Sequence, residues 1–132
     1  MCIRDRLLRF DTTLEPVLRE LAIIICGRHW TSHHEWTAHK KLALEAGLDP
    51  ATIADIAAGR PDPYLRSSRE ETVFKVATTL LSQGKIDADL YRQGIATLGK
   101  TGMVELVAVL GYYCLVALTL NCLLYTSPSP RD

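Results

Sequence analysis

Apolar residues recur at helical intervals along most of the chain, and no stretch alternates as a half-buried strand would. Pro16 stands where a helix can begin, because proline tolerates the first turn. The VLRELAIII that follows is apolar on more than one face, so this helix is predicted to be largely buried. Thr31 or Ser32 can cap the next helix, with Glu35 three residues beyond Ser32 as in a capping box, and Gly47 ends it before Leu48-Asp49-Pro50. Asp49 as N-cap and Pro50 as first helical residue open a short third helix closed by Gly59. Pro61 and Pro63 mark the stretch from Arg60 to Arg66 as a loop. Ser67 and Ser68, each followed three residues later by Glu70 or Glu71, open a helix through Val73, Phe74, Val76, Ala77, Leu80 and Leu81, and Gly84 stops it. Asp87 can cap DADLYRQGIATLG, and Thr101 can cap a final apolar helix. The expected fold class is all-α, in one small domain whose apolar fraction of 48% is ample for a core.

Both ends change how this domain is bounded. Met1-Cys2-Ile3-Arg4-Asp5-Arg6 is what ATG TGT ATA AGA GAC AG encodes, which resembles a transposon-end adapter of shotgun sequencing libraries. The run from Cys122 to Asp132, CLLYTSPSPRD, reads as the complementary adapter continued in one frame. Residues 1–6 and 122–132 are therefore expected to be adapter-like artefacts without a functional site, and 7–121 the native domain fragment. Discounting them moves the balance from 15 basic against 15 acidic residues to 12 against 13, with no electrostatic footprint for nucleic acid. Of four cysteines only Cys26 and Cys114 remain, too far apart in sequence to suggest a redox pair or a zinc knuckle. The apolar run from Leu106 to Tyr125 is long enough for a membrane span of ~20 residues. Ending it near Leu120 and placing it after Glu105 favours a buried helix of a soluble protein or oligomer. No signal peptide is recognisable, and the expectation is a cytoplasmic protein with no membrane partner.

The unusual side chains concentrate in one segment, Arg28 to His39, which holds all four histidines and both tryptophans. On a helix starting near Ser32, Ser32, Glu35 and His39 share a face, while His34 stands about 100° around. A Glu–His pair one turn apart is a plausible acid/base unit, because a carboxylate can orient an imidazole and stabilise its cation. An ordinary surface pair or a core histidine is the plainer alternative. His34 and His39 are five apart, roughly 140° around a helix, which rejects the two-histidine zincin arrangement. His29 and His33 have the i,i+4 spacing but straddle a helix boundary, with no third ligand evident. No metal site and no cofactor are expected.

The run LRELAIIICGRHWTSHHEWTAH from Leu18 to His39, and GMVELVAVLGYYCLVALTLN from Gly102 to Asn121, resemble the carboxymuconolactone decarboxylase-like, or alkylhydroperoxidase D-like, family. The resemblance implies an all-helical bundle that assembles into homo-oligomers through apolar helices. It also implies that an N-terminal helical region and a short C-terminal extension are missing here. The family's peroxidases carry a Glu, eleven residues, Cys-x-x-Cys, then three residues and a His. That pattern falls on Glu20, Ser32, Glu35 and His39, with His34 at the relay histidine. Neither Ser32 nor Glu35 can form a sulfenic acid or a disulfide, and of Cys26 and Cys114 neither lies in the motif, so dithiol peroxidase activity is expected to be absent even if the family label is alkylhydroperoxidase- or peroxiredoxin-like.

What the resemblance leaves is the decarboxylase side: a lyase with a cofactor-free site handling a carboxylated or lactone small molecule by proton transfer. In that reading His39 is the general acid/base, Glu35 orients it, Glu20 extends the relay, and His34 assists. Arg28 would hold a substrate carboxylate, Trp30 and Trp36 would wall an apolar pocket, and Ser32 would lie close by in place of a thiol. The alternative is a non-catalytic oligomeric or interaction protein in which the same cluster is a buried polar network.

Overall fold

The computed structural model describes residues 13–123, so the expectation for residues 1–6 and for Leu124 to Asp132 lies outside the described residues. Among the described residues five helices follow one another: α1 Pro16–His29, α2 His33–Glu45, α3 Pro50–Ala57, α4 Ser68–Gln83 and α5 Ala88–Leu123. Among the described residues there is no strand, in agreement with the all-α expectation.

α1 is the centre of the molecule. Every residue from Leu18 to Gly27 is buried, and the helix packs against α2, α4 and α5 and touches α3. A helix that is apolar around its whole circumference has no solvent face to offer, so the other helices must surround it. Leu18, Leu21, Ile23 and Ile24 meet Val73 and Val76 of α4 and Leu106 and Val109 of α5 in one continuous core.

The predicted helix ends are present, and their chemistry is local. Asp49 accepts from the Ala51 N–H at 2.8 Å, Ser67 Oγ accepts from the Glu70 N–H at 3.1 Å, and Asp87 accepts from the Leu90 N–H at 2.8 Å. Glu70 reaches back to the Arg66 N–H at 3.0 Å, one residue before the capping-box position. Ser32 is the N-cap of α2, but its hydroxyl makes no capping bond. The expected Ser32–Glu35 capping box is therefore not formed, because both side chains turn inward and are buried.

Three helices end in the same six-residue closure. At the end of α2 the Leu48 N–H reaches the Ala43 carbonyl and the Gly47 N–H the Leu44 carbonyl; at the end of α3 Arg60 reaches Asp55 and Gly59 reaches Ile56. Gly47 and Gly59 hold φ of 101° and 74°, the left-handed conformation this closure requires. At the end of α1, Ser32 reaches Gly27 at 2.9 Å and Thr31 reaches Arg28 at 3.2 Å. There the left-handed residue is Thr31, at φ 52°, a β-branched side chain where the other two ends have glycine.

The expected last two helices are continuous in α5 except for a break at Gly99, at φ 77° and ψ 168°. The apolar helix beyond it is buried on one face only, through Leu106, Val109, Leu110, Tyr113 and Ala117, while Val104, Val107, Leu115 and Leu118 are exposed. Only 28% of its most apolar 18-residue window is buried within the single chain. Among the described residues it is the one helix long and apolar enough to cross a membrane. It runs on through Cys122 and Leu123, past the expected boundary at Asn121.

Candidate functional site

The tight closure after α1 sends α2 back along it, and Gly27 permits the approach. A Cβ on Gly27 would stand 3.3 Å from the Trp36 backbone nitrogen and 3.4 Å from Glu35 Oε2. This brings together the four positions that carry the resemblance: Glu20 on α1, Ser32 at the turn, and Glu35 and His39 on α2 are all buried. Buried polar residues cluster here because the helix faces that hold them point at each other.

Within the cluster the pairing differs from the expected one. His39 Nδ1 lies 2.7 Å from Glu20 Oε1, not against Glu35. A carboxylate can only accept, so in this bond Nδ1–H donates to Glu20 and Nε2 is the ring nitrogen outside it. Arg19 Nε lies 3.8 Å from the other Glu20 oxygen, and the Tyr113 ring packs edge-on to His39 at 5.1 Å between centroids. Glu35 shares a helix face with His39, but both its carboxyl oxygens are buried without a hydrogen-bond partner, as is Ser32 Oγ. Burial, and secondarily the charge of Cys114, pushes the Glu35 carboxyl up to about 8, so at neutral pH it holds its proton.

Cys26 and Cys114 correct the inference drawn from their separation. The crossing of α1 and α5 sets their sulfurs 3.4 Å apart. The Trp30 indole N–H donates to Cys114 Sγ at 3.2 Å, and the Cys26 thiol also lies 3.8 Å from the Leu110 carbonyl oxygen. With the Cys26 S–H as the foremost donor and the indole as a second, the Cys114 thiol is drawn down to about 6 against the opposing effect of partial burial. Cys26, whose proton is held by that bond and by burial, is pushed up. Together with Glu35 the pair forms a site with room for one negative charge, carried by the Cys114 sulfur.

Other expected members fall elsewhere. His34 is exposed, about a third of a turn off the buried face, so it has no place beside His39. Trp30 turns to α5, where its carbonyl also accepts from Asn121 Nδ2 at 2.8 Å. Trp36 does wall a pocket of about 380 Å³, shared with Gly27, Arg28, Ser32 and Ala57. Arg28 is exposed at its rim and donates from Nε to the Ala57 carbonyl at 3.1 Å, closing the end of α3, and pairs with neither Glu35 nor Glu20. Among the described residues no group of three or more His, Cys, Asp or Glu side chains is arranged to hold a metal ion. Sequence reasoning missed Tyr113 and the thiol pair, for which the only signal was a cysteine in each of two apolar helices.

Comparison of the chain with protein-family models, with curated proteins and with solved structures finds no match.

Proposed function

We propose that this chain is a carboxymuconolactone decarboxylase-like protein of the alkylhydroperoxidase D-like helical-bundle type, performing cofactor-free acid/base chemistry on a carboxylated or lactone small molecule in the cytoplasm. The observation that carries the reading is Glu35. Leaving a buried polar group without a partner costs about 1–3 kcal/mol, and a carboxyl kept in that condition is available for chemistry. Protonated up to about pH 8, it is suited to donate a proton at neutral pH. His39, oriented by Glu20, supplies the complementary base at Nε2. Gly27 and Ser32 line the pocket beside Trp36, which neither Glu35 nor His39 lines; Gly27 approaches Glu35, and the guanidinium of Arg28 at the rim is suited to a substrate carboxylate.

The test is to incubate the protein in D2O with carboxymuconolactone and related lactone acids, following decarboxylation and deuterium uptake by NMR. Turnover above the buffer rate is expected, falling on the order of 100-fold or more in Glu35→Gln and His39→Ala. Turnover indifferent to both substitutions, or none across the compound class, sinks the reading.

A second reading is favoured by the open face of α5, where Val104, Val107, Leu115 and Leu118 form an exposed apolar stripe. Such a stripe suits self-association, so the protein would be a homo-oligomer, catalytic or not. Light scattering on the intact chain and on a Val107→Lys, Leu118→Lys variant measures this directly.

A further inference from the structure

Two thiols in contact, one half-exposed and one wholly buried, form an asymmetric arrangement that the acid/base reading does not use. We infer that Cys26 and Cys114 are an oxidisable dithiol: Cys114 reacts with a hydroperoxide and Cys26 then closes a disulfide that staples α1 to α5. The inference is independent of the proposed proton-transfer chemistry.

The division of labour follows from position. Cys114, part-way to solvent, is the sulfur an oxidant can reach, and the Trp30 N–H aimed at it stabilises a thiolate, the reactive form of cysteine. Cys26 has no exposed surface, so it meets no oxidant directly, but it lies in contact with whatever forms on Cys114. A disulfide needs the sulfurs at ~2.05 Å, so the observed 3.4 Å must close by ~1.4 Å. The contact is between two side chains, and rotation about their Cα–Cβ bonds moves sulfur far more than backbone.

The electron count closes. The Cys114 thiolate attacks the terminal oxygen of ROOH; the S–O bond forms, the O–O bond breaks, and the electron pair leaves on RO⁻. That alkoxide takes a proton from solvent. Cys114 is then an uncharged sulfenic acid, and the negative charge that held the proton on Cys26 is gone. The Cys26 sulfur attacks the sulfenic sulfur, the S–S bond forms, and hydroxide leaves with the Cys26 proton as water. Two thiols have lost two electrons and the peroxide has gained them.

The experiment uses the whole chain, reduced, freed of reductant and treated with hydrogen peroxide or cumene hydroperoxide, then digested without reduction and mapped by mass spectrometry. A linked Cys26–Cys114 peptide pair, 2 Da lighter than the two thiol peptides together and abolished by dithiothreitol, is expected. Cys26→Ala is expected to leave a sulfenic acid on Cys114 that dimedone traps. In the unoxidised wild-type chain, alkylation of Cys114 by iodoacetamide is expected to level off above about pH 6 to 7. Free N-acetylcysteine in the same buffers provides the comparison, because an unperturbed thiol goes on gaining rate towards ~8.5. Peroxide-treated protein with Cys26 still a free thiol overturns the inference, and so does a Cys114 pH profile that follows that of free N-acetylcysteine. Both readouts use the wild-type chain and stand even where the alanine variant fails to fold.

Discussion

Glu20 and His39 meet at 2.7 Å across the α1–α2 contact, while Glu35, one turn from His39 on the same face of α2, meets no hydrogen-bonding group. One carboxylate therefore fixes the imidazole, and the other is left as a buried acid. The two carboxyls have separate duties because α1 offers a hydrogen-bonding side chain at one level of its surface and a bare glycine at the other.

The Glu20–His39 bond should be measurable as a coupling. Removing either partner strands a buried polar group, so Glu20→Ala and His39→Ala are each expected to destabilise the chain by about 2–3 kcal/mol in urea unfolding. The double variant should cost less than the sum, with an interaction of about 1–2 kcal/mol. Strict additivity would remove the bond from any role in holding α1 to α2.

Glu35 sets a pH dependence with a definite sign. The unfolded chain ionises this carboxyl near 4.5, and the folded chain not until about 8, so the native state binds the extra proton between those limits. Stability from this group is full below pH 4.5, falls as pH rises to 8, and is level above. The loss is on the order of 5 kcal/mol. Glu35→Gln, which cannot ionise, should match the parent near pH 4.5 and exceed it at pH 8.5 in thermal unfolding. Equal pH profiles for the two proteins would show that Glu35 is ionised and paired in the native state.

Thr31 occupies a left-handed position that glycine fills at the ends of α2 and α3. Left-handed geometry costs an ordinary residue roughly 1–2 kcal/mol, of which the floppier unfolded glycine chain returns about 0.4–1. Thr31→Gly should therefore raise stability by about 1 kcal/mol with the fold unchanged. A destabilised variant would mean that the Thr31 side chain makes a contribution larger than the strain.

His34 is exposed, so His34→Ala should change stability by no more than about 0.5 kcal/mol. It should also leave intact whatever turnover His39→Ala abolishes. Equal losses in the two variants would return His34 to the relay.

Helix ends and helix faces were legible in the sequence because their causes act within one turn. Asp49 caps residues two positions on, Ser67 caps Glu70, and Gly84 terminates α4 through its own left-handed backbone. The burial of α1 needed only the count of apolar residues around its circumference. The spacing of Glu35 and His39 likewise placed both on the buried face of α2. Which atom each then met was decided by the neighbouring helices. How far α1 and α5 rotate about their axes and where they cross follow from packing the whole core, and a shift of one residue would exchange one partner for another. For that reason Glu20 rather than Glu35 holds His39, Arg28 closes α3 instead of pairing with a carboxylate, and two cysteines 88 residues apart touch.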